Sequence, residues 1–445
     1  MSSSPPGPSG EPLFGSSRRY ARDPFRFLSA CERAYGSVVQ FDLGPLNTYL
    51  LTDPADVERV LVSEADQFRK PDFQSDALGD LLGKGLLLSE GQTWRKQRQL
   101  ANPAFDMGRL MGFADRIVDH HDDLLADWAD GAGVDVEQEM TQVTLAVIVD
   151  LMLGTDLDDE RVRTIRESLV PLGARFEPDP VRFAAPRWLP MPGDGEYDAA
   201  VGTMESVIDD IVTERRGTHG DAAADEGPDD LLSILLRAQD RGEQSSRQIR
   251  DEVMTMLLAG HDTTALTLTY AWYLLSQHPE AERRVHAEVD EVLGDDRPTI
   301  DDVGDLAFVE QVVDESMRLY PPVYTMFREP KSAVELGGYR VPEDAAIMLS
   351  QWAMHRSERY WDEPDAFDPD RWDRDVDRPR FAYFPFGGGP RHCIGKHLAK
   401  LEAKLILART AQRYSLEYTG EEGLDLLPSL TMHPRNGMPM RVRER

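Results

Sequence analysis

The stretch Phe384-Pro385-Phe386-Gly387-Gly388-Gly389-Pro390-Arg391-His392-Cys393-Ile394-Gly395 decides how the rest of this chain is read. Three glycines and a proline force an irregular turn in which backbone N–H groups can approach one sulfur. A helix follows, over about 394–413, so Cys393 stands at a helix N-terminus, where the dipole favours a thiolate. Donors aimed at such a sulfur tune how it releases electrons to a metal. A lone cysteine in a Gly-rich turn is usually just a buried residue. The full pattern Phe-x-x-Gly-x-Arg-x-Cys-x-Gly leaves little room for that reading.

The composition around the loop narrows the options. Of 445 residues, 41% are apolar, enough for a large core. Lys and Arg total 49 and Asp and Glu 80, a net charge of −31, which repels phosphate backbones and anionic lipid heads and excludes nucleic acid as a general partner. Two cysteines, Cys31 and Cys393, exclude a disulfide framework or a Cys-rich zinc site. The opening MSSSPPGPSGEPLFG has no basic-then-apolar pattern, so neither a signal peptide nor a membrane anchor is expected, and the protein is read as cytoplasmic. Seven lysines against forty-two arginines, in so acidic a chain, suggest a high-salt cytoplasm. At molar salt the Debye length falls to about 3 Å and self-repulsion is screened.

Residues 1–18, rich in Pro, Ser and Gly, read as a flexible or extended lead-in, and 19–445 as one domain. Alternating runs at 37–43 and 47–52 around Pro45 predict a β-hairpin. Helical periodicity predicts helices over 94–105, 109–130, 136–153, 161–172 and 199–216, with loops at 173–198 and 217–229. The longest helical run, Ser246–Gln277, would span about 50 Å. Within it, Met254–Leu275 is apolar at nearly every position except the centre, Gly260-His261-Asp262-Thr263-Thr264, where poor helix formers predict a bulge or kink. An Asp at mid-bilayer costs about 3 kcal/mol, so this helix is buried in protein.

With these pieces in place, the chain resembles the cytochrome P450 family. The Cys393 string is similar to the family's haem-binding loop, Glu315-Ser316-Met317-Arg318 to its Glu-x-x-Arg helix, and Trp94-Arg95-Lys96-Gln97-Arg98 to its Trp-x-x-x-Arg helix. Phe367-Asp368-Pro369-Asp370-Arg371-Trp372 is similar to Phe-x-Pro-x-Arg-Phe, with Trp372 in place of the usual Phe. The likeness covers about residues 20–440. It implies a mainly α fold with small β-sheets, holding haem b between the long central helix and the helix after the Cys loop. It implies Cys393 as the axial iron ligand, and Glu315, Arg318 and Arg371 as a buried network that locks the loop. Asp262 and Thr263 become the acid–alcohol pair that delivers protons through water to dioxygen, so that the O–O bond breaks heterolytically. Gly260 would leave room there, and His261 would face away. Trp94, Arg98, Arg328 and Arg391 become partners of the haem propionates, and Phe386 a neighbour of the haem.

The implied activity is a monooxygenase that inserts one atom of O₂ into a hydrophobic organic substrate such as a fatty acid, terpenoid or carotenoid-like lipid. Leu82, Leu86, Phe176, Phe183, Val323 and Tyr324 would line the pocket. A peroxide-driven peroxygenase and a non-catalytic haem sensor are the alternatives; neither needs the intact Asp262–Thr263 pair. Lys396, Lys400 and Lys404 recur at helical spacing and read as a docking stripe for a separate ferredoxin or flavodoxin-type electron donor. The chain is read as a monomer.

Overall fold

The computed structural model describes residues 4–155, 159–184, 189–219 and 230–445. The hairpin forms as Val38–Leu43 and Leu46–Leu51, in antiparallel register from Val38 opposite Leu51 to Leu43 opposite Leu46. It joins a five-stranded sheet through Ala346–Leu349, which runs parallel to Leu46–Leu51 and antiparallel to Met326–Pro330. The described part of the lead-in is not loose. The Gln40 N–H donates to the Pro6 carbonyl at 3.0 Å, and Gly15 bridges to Leu43, so the segment lies extended along the hairpin.

Helices dominate elsewhere, and their caps explain their limits. The Asp135 carboxylate accepts from the Glu137 N–H and Gly154 closes with left-handed backbone, giving a flanking helix over Val136–Leu153. Ser245 and Gln248 form a reciprocal capping box that starts the central helix, Ser246–Gln277. The interruption expected in its middle does not occur. Thr263, Thr267 and Thr269 each donate a hydroxyl hydrogen bond to the carbonyl four residues earlier, so the polar side chains are satisfied within an unbroken α-helix.

Other boundaries also differ. The helix expected over 109–130 is two, Met107–Met111 and Ala114–Leu125, separated at Gly112 and Phe113. The early helix Gly91–Ala101 passes into a 3-10 turn at Pro103. The stretch 173–198 contains a short helix, Pro180–Ala184, and Asp194–His219 carries the next helix into 217–219. The remainder of the acidic loop, 220–229, lies outside the described residues.

The central helix packs along the flanking helix and, on other sides, against Ala307–Leu319 and Lys396–Arg413. The main hydrophobic cluster draws on positions from Phe25 to Val442. No helix among the described residues is long and apolar enough to cross a membrane.

Candidate active site

The Cys393 loop is held by backbone geometry that only glycine permits. Gly387 and Gly389 have φ of 67° and 65°. A Cβ on Gly389 would fall 1.8 Å from the Leu61 carbonyl oxygen. The Cys393 N–H donates to the Phe386 carbonyl at 2.9 Å. Burial raises the Cys393 pKa, while the Gly395 N–H and the Arg98 guanidinium both favour the thiolate. The helix Lys396–Arg413 begins immediately after, with Gly395 at its N-cap.

Behind the loop lies a buried ionic cluster. Glu315 and Arg318, on the helix Ala307–Leu319, and Arg371 all have side chains at most 2% exposed. Glu315 Oε1 accepts from Arg318, from Arg371 at 2.9 Å and from the Asp368 N–H at 3.0 Å; Oε2 accepts from Arg318 and from the Trp372 indole N–H at 3.2 Å. The tryptophan at 372 therefore adds a donor that phenylalanine lacks. Arg318 also donates to the carbonyls of His355, Pro364 and Ala366. His355 in turn accepts from the Phe384 N–H at 3.1 Å, and the Gln351 amide donates to the Phe384 and Pro385 carbonyls. The network thus reaches the Cys loop through the buried His355, and Gln351 holds the same loop separately.

A cavity of about 1040 Å³ separates Phe386, Cys393 and Gly395 on one wall from Ala259–Thr264 of the central helix on the other. At its edge Lys70, Arg328 and Arg391 converge with Glu90 as their acidic neighbour. Burial, then Arg328 and Arg391, pushes the Lys70 pKa well down. Burial, then Arg391, brings Arg328 down to about 10. Arg391 pairs with Glu90 at 2.8 Å and lies 4.6 Å from the centre of the Trp94 ring. Arg98 donates to the His392 carbonyl at 3.0 Å. On the far wall Asp262 Oδ2 accepts from Thr431 at 2.6 Å and lies 3.6 Å from His433 Nε2. His433 Nδ1 is 2.8 Å from Glu137 Oε1. Burial alone would raise Asp262, but the His433 charge and the Thr431 hydroxyl hold it down to about 2. Burial works against the His433 charge, yet Asp262 and Glu137 push it up to about 10. The depressed acid is lost only as pH falls towards its folded pKa, and the raised base only as pH climbs towards its own. Both partners therefore stay charged from about pH 4 to about pH 9.

Residues 5–440 match the cytochrome P450 family. This chain belongs to it. The chain is 37% identical to cyclooctatin synthase of Streptomyces melanosporofaciens over 92% of this chain and 89% of that protein. It is 35% identical to cyclooctat-9-en-7-ol 5-monooxygenase of the same organism, over 92% and 88%. It is 31% identical to pentalenene oxygenase of Streptomyces avermitilis, over 96% and 95%. As a cytochrome P450 it is a haem-dependent monooxygenase with haem b as cofactor.

The residues present fit that group. Three converging cations with one acidic neighbour are an unbalanced cluster, suited to two further carboxylates such as haem propionates. Lys70, an isolated lysine beside Pro71, carried no motif that could have flagged it.

Gly260 lines the cavity, and a Cβ there would also meet Ile148 of the flanking helix at 2.6 Å. Two expectations need correction. The lysine stripe is not a free docking face. Lys404 is buried, pairs with Glu310 at 3.0 Å and donates to the Val303 carbonyl. Lys400 pairs with Glu310 and Asp314 at 3.1 and 3.0 Å; only Lys396 stands exposed. Of the expected substrate-pocket residues, Leu82, Leu86, Phe176 and Val323 line the cavity. Tyr324 instead packs edge-on to Phe25 in the core, and the Phe183 side chain lies outside the described residues. The terminal hairpin residues Thr431 and His433, and Glu137, were missed because nothing local marks them.

Proposed function

We propose that this P450 oxidises a bulky, uncharged, terpenoid-type hydrocarbon or alcohol, with electrons from a separate ferredoxin or flavodoxin-type protein. The carrying observation is the cavity wall, built mainly from apolar side chains such as Leu82, Leu86, Phe176, Val323 and Leu430. Away from the Lys70, Arg328 and Arg391 cluster, the lining arginines have partners of their own: Arg163 faces Glu167, Arg166 donates to Gln138 and Arg435 pairs with Asp425. Two of the relatives bear names that specify an alkenol and an alkene, which agrees with a neutral substrate.

Bound haem supplies the activation of O₂ and the transfer of one oxygen atom. The chain holds the thiolate, excludes bulk water with its apolar wall, and offers Asp262 and Thr263 as the proton-delivering pair. Spectral titration of the holoenzyme tests the substrate class. Cyclic terpene alkenes and alcohols shift the haem spin state at lower concentration than straight-chain fatty acids; the reverse order would sink the reading.

For the donor, two exposed cations are candidates: Lys396, three residues after Cys393, and Arg95, one turn before Arg98 on the early helix. Charge complementarity steers association. Arg95→Glu with Lys396→Glu slows reduction by an acidic donor roughly tenfold at low salt and leaves reduction by dithionite unchanged. An unaltered donor rate would rule this surface out.

A further inference from the structure

We infer that Thr431 and His433 are positioning residues for Asp262, so that the hairpin forming part of the substrate wall also fixes the direction and charge of the proton-delivering acid. The hairpin, Leu426–Pro428 and Met432–Pro434, contributes Leu427, Ser429, Leu430, Thr431 and His433 to the cavity. It is tied to its surroundings at defined points. Tyr270 of the central helix donates to the Met432 carbonyl at 2.7 Å, the Met432 N–H donates to Pro322, and Ser429 donates to Gly173 at 2.7 Å. These contacts fix the strand that carries the partners of Asp262 against the cavity wall.

The hydrogen bonds run in one consistent direction. The doubly protonated His433 donates from Nδ1 to Glu137 Oε1 at 2.8 Å and from Nε2 to Thr431 Oγ1 at 2.9 Å. Thr431 then spends its own proton on Asp262 Oδ2. His433 is the chief positive neighbour of Asp262, ahead of His261. His261 is buried and neutral, with its Nδ1–H given to the Leu257 carbonyl. Tyr270 is a phenol whose burial disfavours ionisation. Glu137 and, behind it, Asp135 are acidic. Glu137 fixes the imidazolium from the flanking helix.

The inference rests on Asp262 as the proton-delivering acid, and the test separates the two ideas. Product formed per reductant consumed is measured against pH for the holoenzyme and four variants. The parent is flat through the neutral range. In His433→Gln, burial without the cation raises the proton affinity of Asp262. Coupling falls roughly threefold or more and becomes pH-dependent between about pH 6 and about pH 9. His433→Lys, which restores a cation, recovers most of the loss. Thr431→Val lowers coupling without the new pH dependence. Haem content, the ferrous carbonyl spectrum and the substrate-induced spin shift stay parental, which excludes general misfolding. Parental coupling and a flat profile in His433→Gln and Thr431→Val, with Asp262→Asn impaired, would overturn the inference alone. Parental coupling in Asp262→Asn would overturn the role of Asp262 and the inference with it.

Discussion

Glu315→Ala yields protein with little or no haem. The substitution removes one carboxylate and strands two guanidinium groups, the Asp368 N–H and the Trp372 indole in a site from which water is excluded. Breaking a buried ion pair by deleting one partner costs about 3–5 kcal/mol, and here two cations lose the same partner. The damage reaches the thiolate by a short route, because Arg318 holds the His355 carbonyl and the His355 ring holds Phe384 at the start of the Cys loop. The ratio of Soret to protein absorbance measures the outcome. Glu315→Gln keeps an acceptor and folds better, yet still loses haem relative to the parent. Full haem content in both variants would remove the network from the account of the loop.

The second large effect falls on chemistry. Asp262→Asn keeps the volume and the hydrogen bond from Thr431 but removes the charge and the exchangeable acid. General acid–base contributions of this kind are worth about 100-fold or more in rate, and product formation drops on that scale. Thr263→Ala removes the hydroxyl one position on, which otherwise points back to Ala259. Reductant is still consumed, but electrons leave as hydrogen peroxide and little product forms. Stoichiometry of reductant, peroxide and product decides both cases. Unchanged coupling in the two variants would show that protons reach the site by another route.

How much of this was legible in the sequence depends on how local each signal is. Val136–Leu153 and Ser246–Gln277 are readable to the residue because their caps lie in the same stretch of chain: Asp135 and Gly154 for one, Ser245 and Gln248 for the other. Cys393, Glu315 and Arg318 are readable because fixed spacing and glycine chemistry mark them. The packing constraint on Gly260 was not readable, since its neighbour Ile148 belongs to another helix. The same holds for Lys400 and Lys404. Their stripe is visible in sequence, but Glu310 and Asp314 arrive only when Ala307–Leu319 packs alongside. Asp262 could be named, while the residues that orient it could not, because Thr431, His433 and Glu137 meet it only in the folded molecule.

The burial of Lys404 divides the response of this face to electrolyte. Lys404 is 6% exposed, so its contact with Glu310 is screened less by added salt than a fully exposed pair would be. The outward-facing Lys396 and Arg95 enjoy no such shelter, so brine would silence any long-range pull they exert on an incoming reductant.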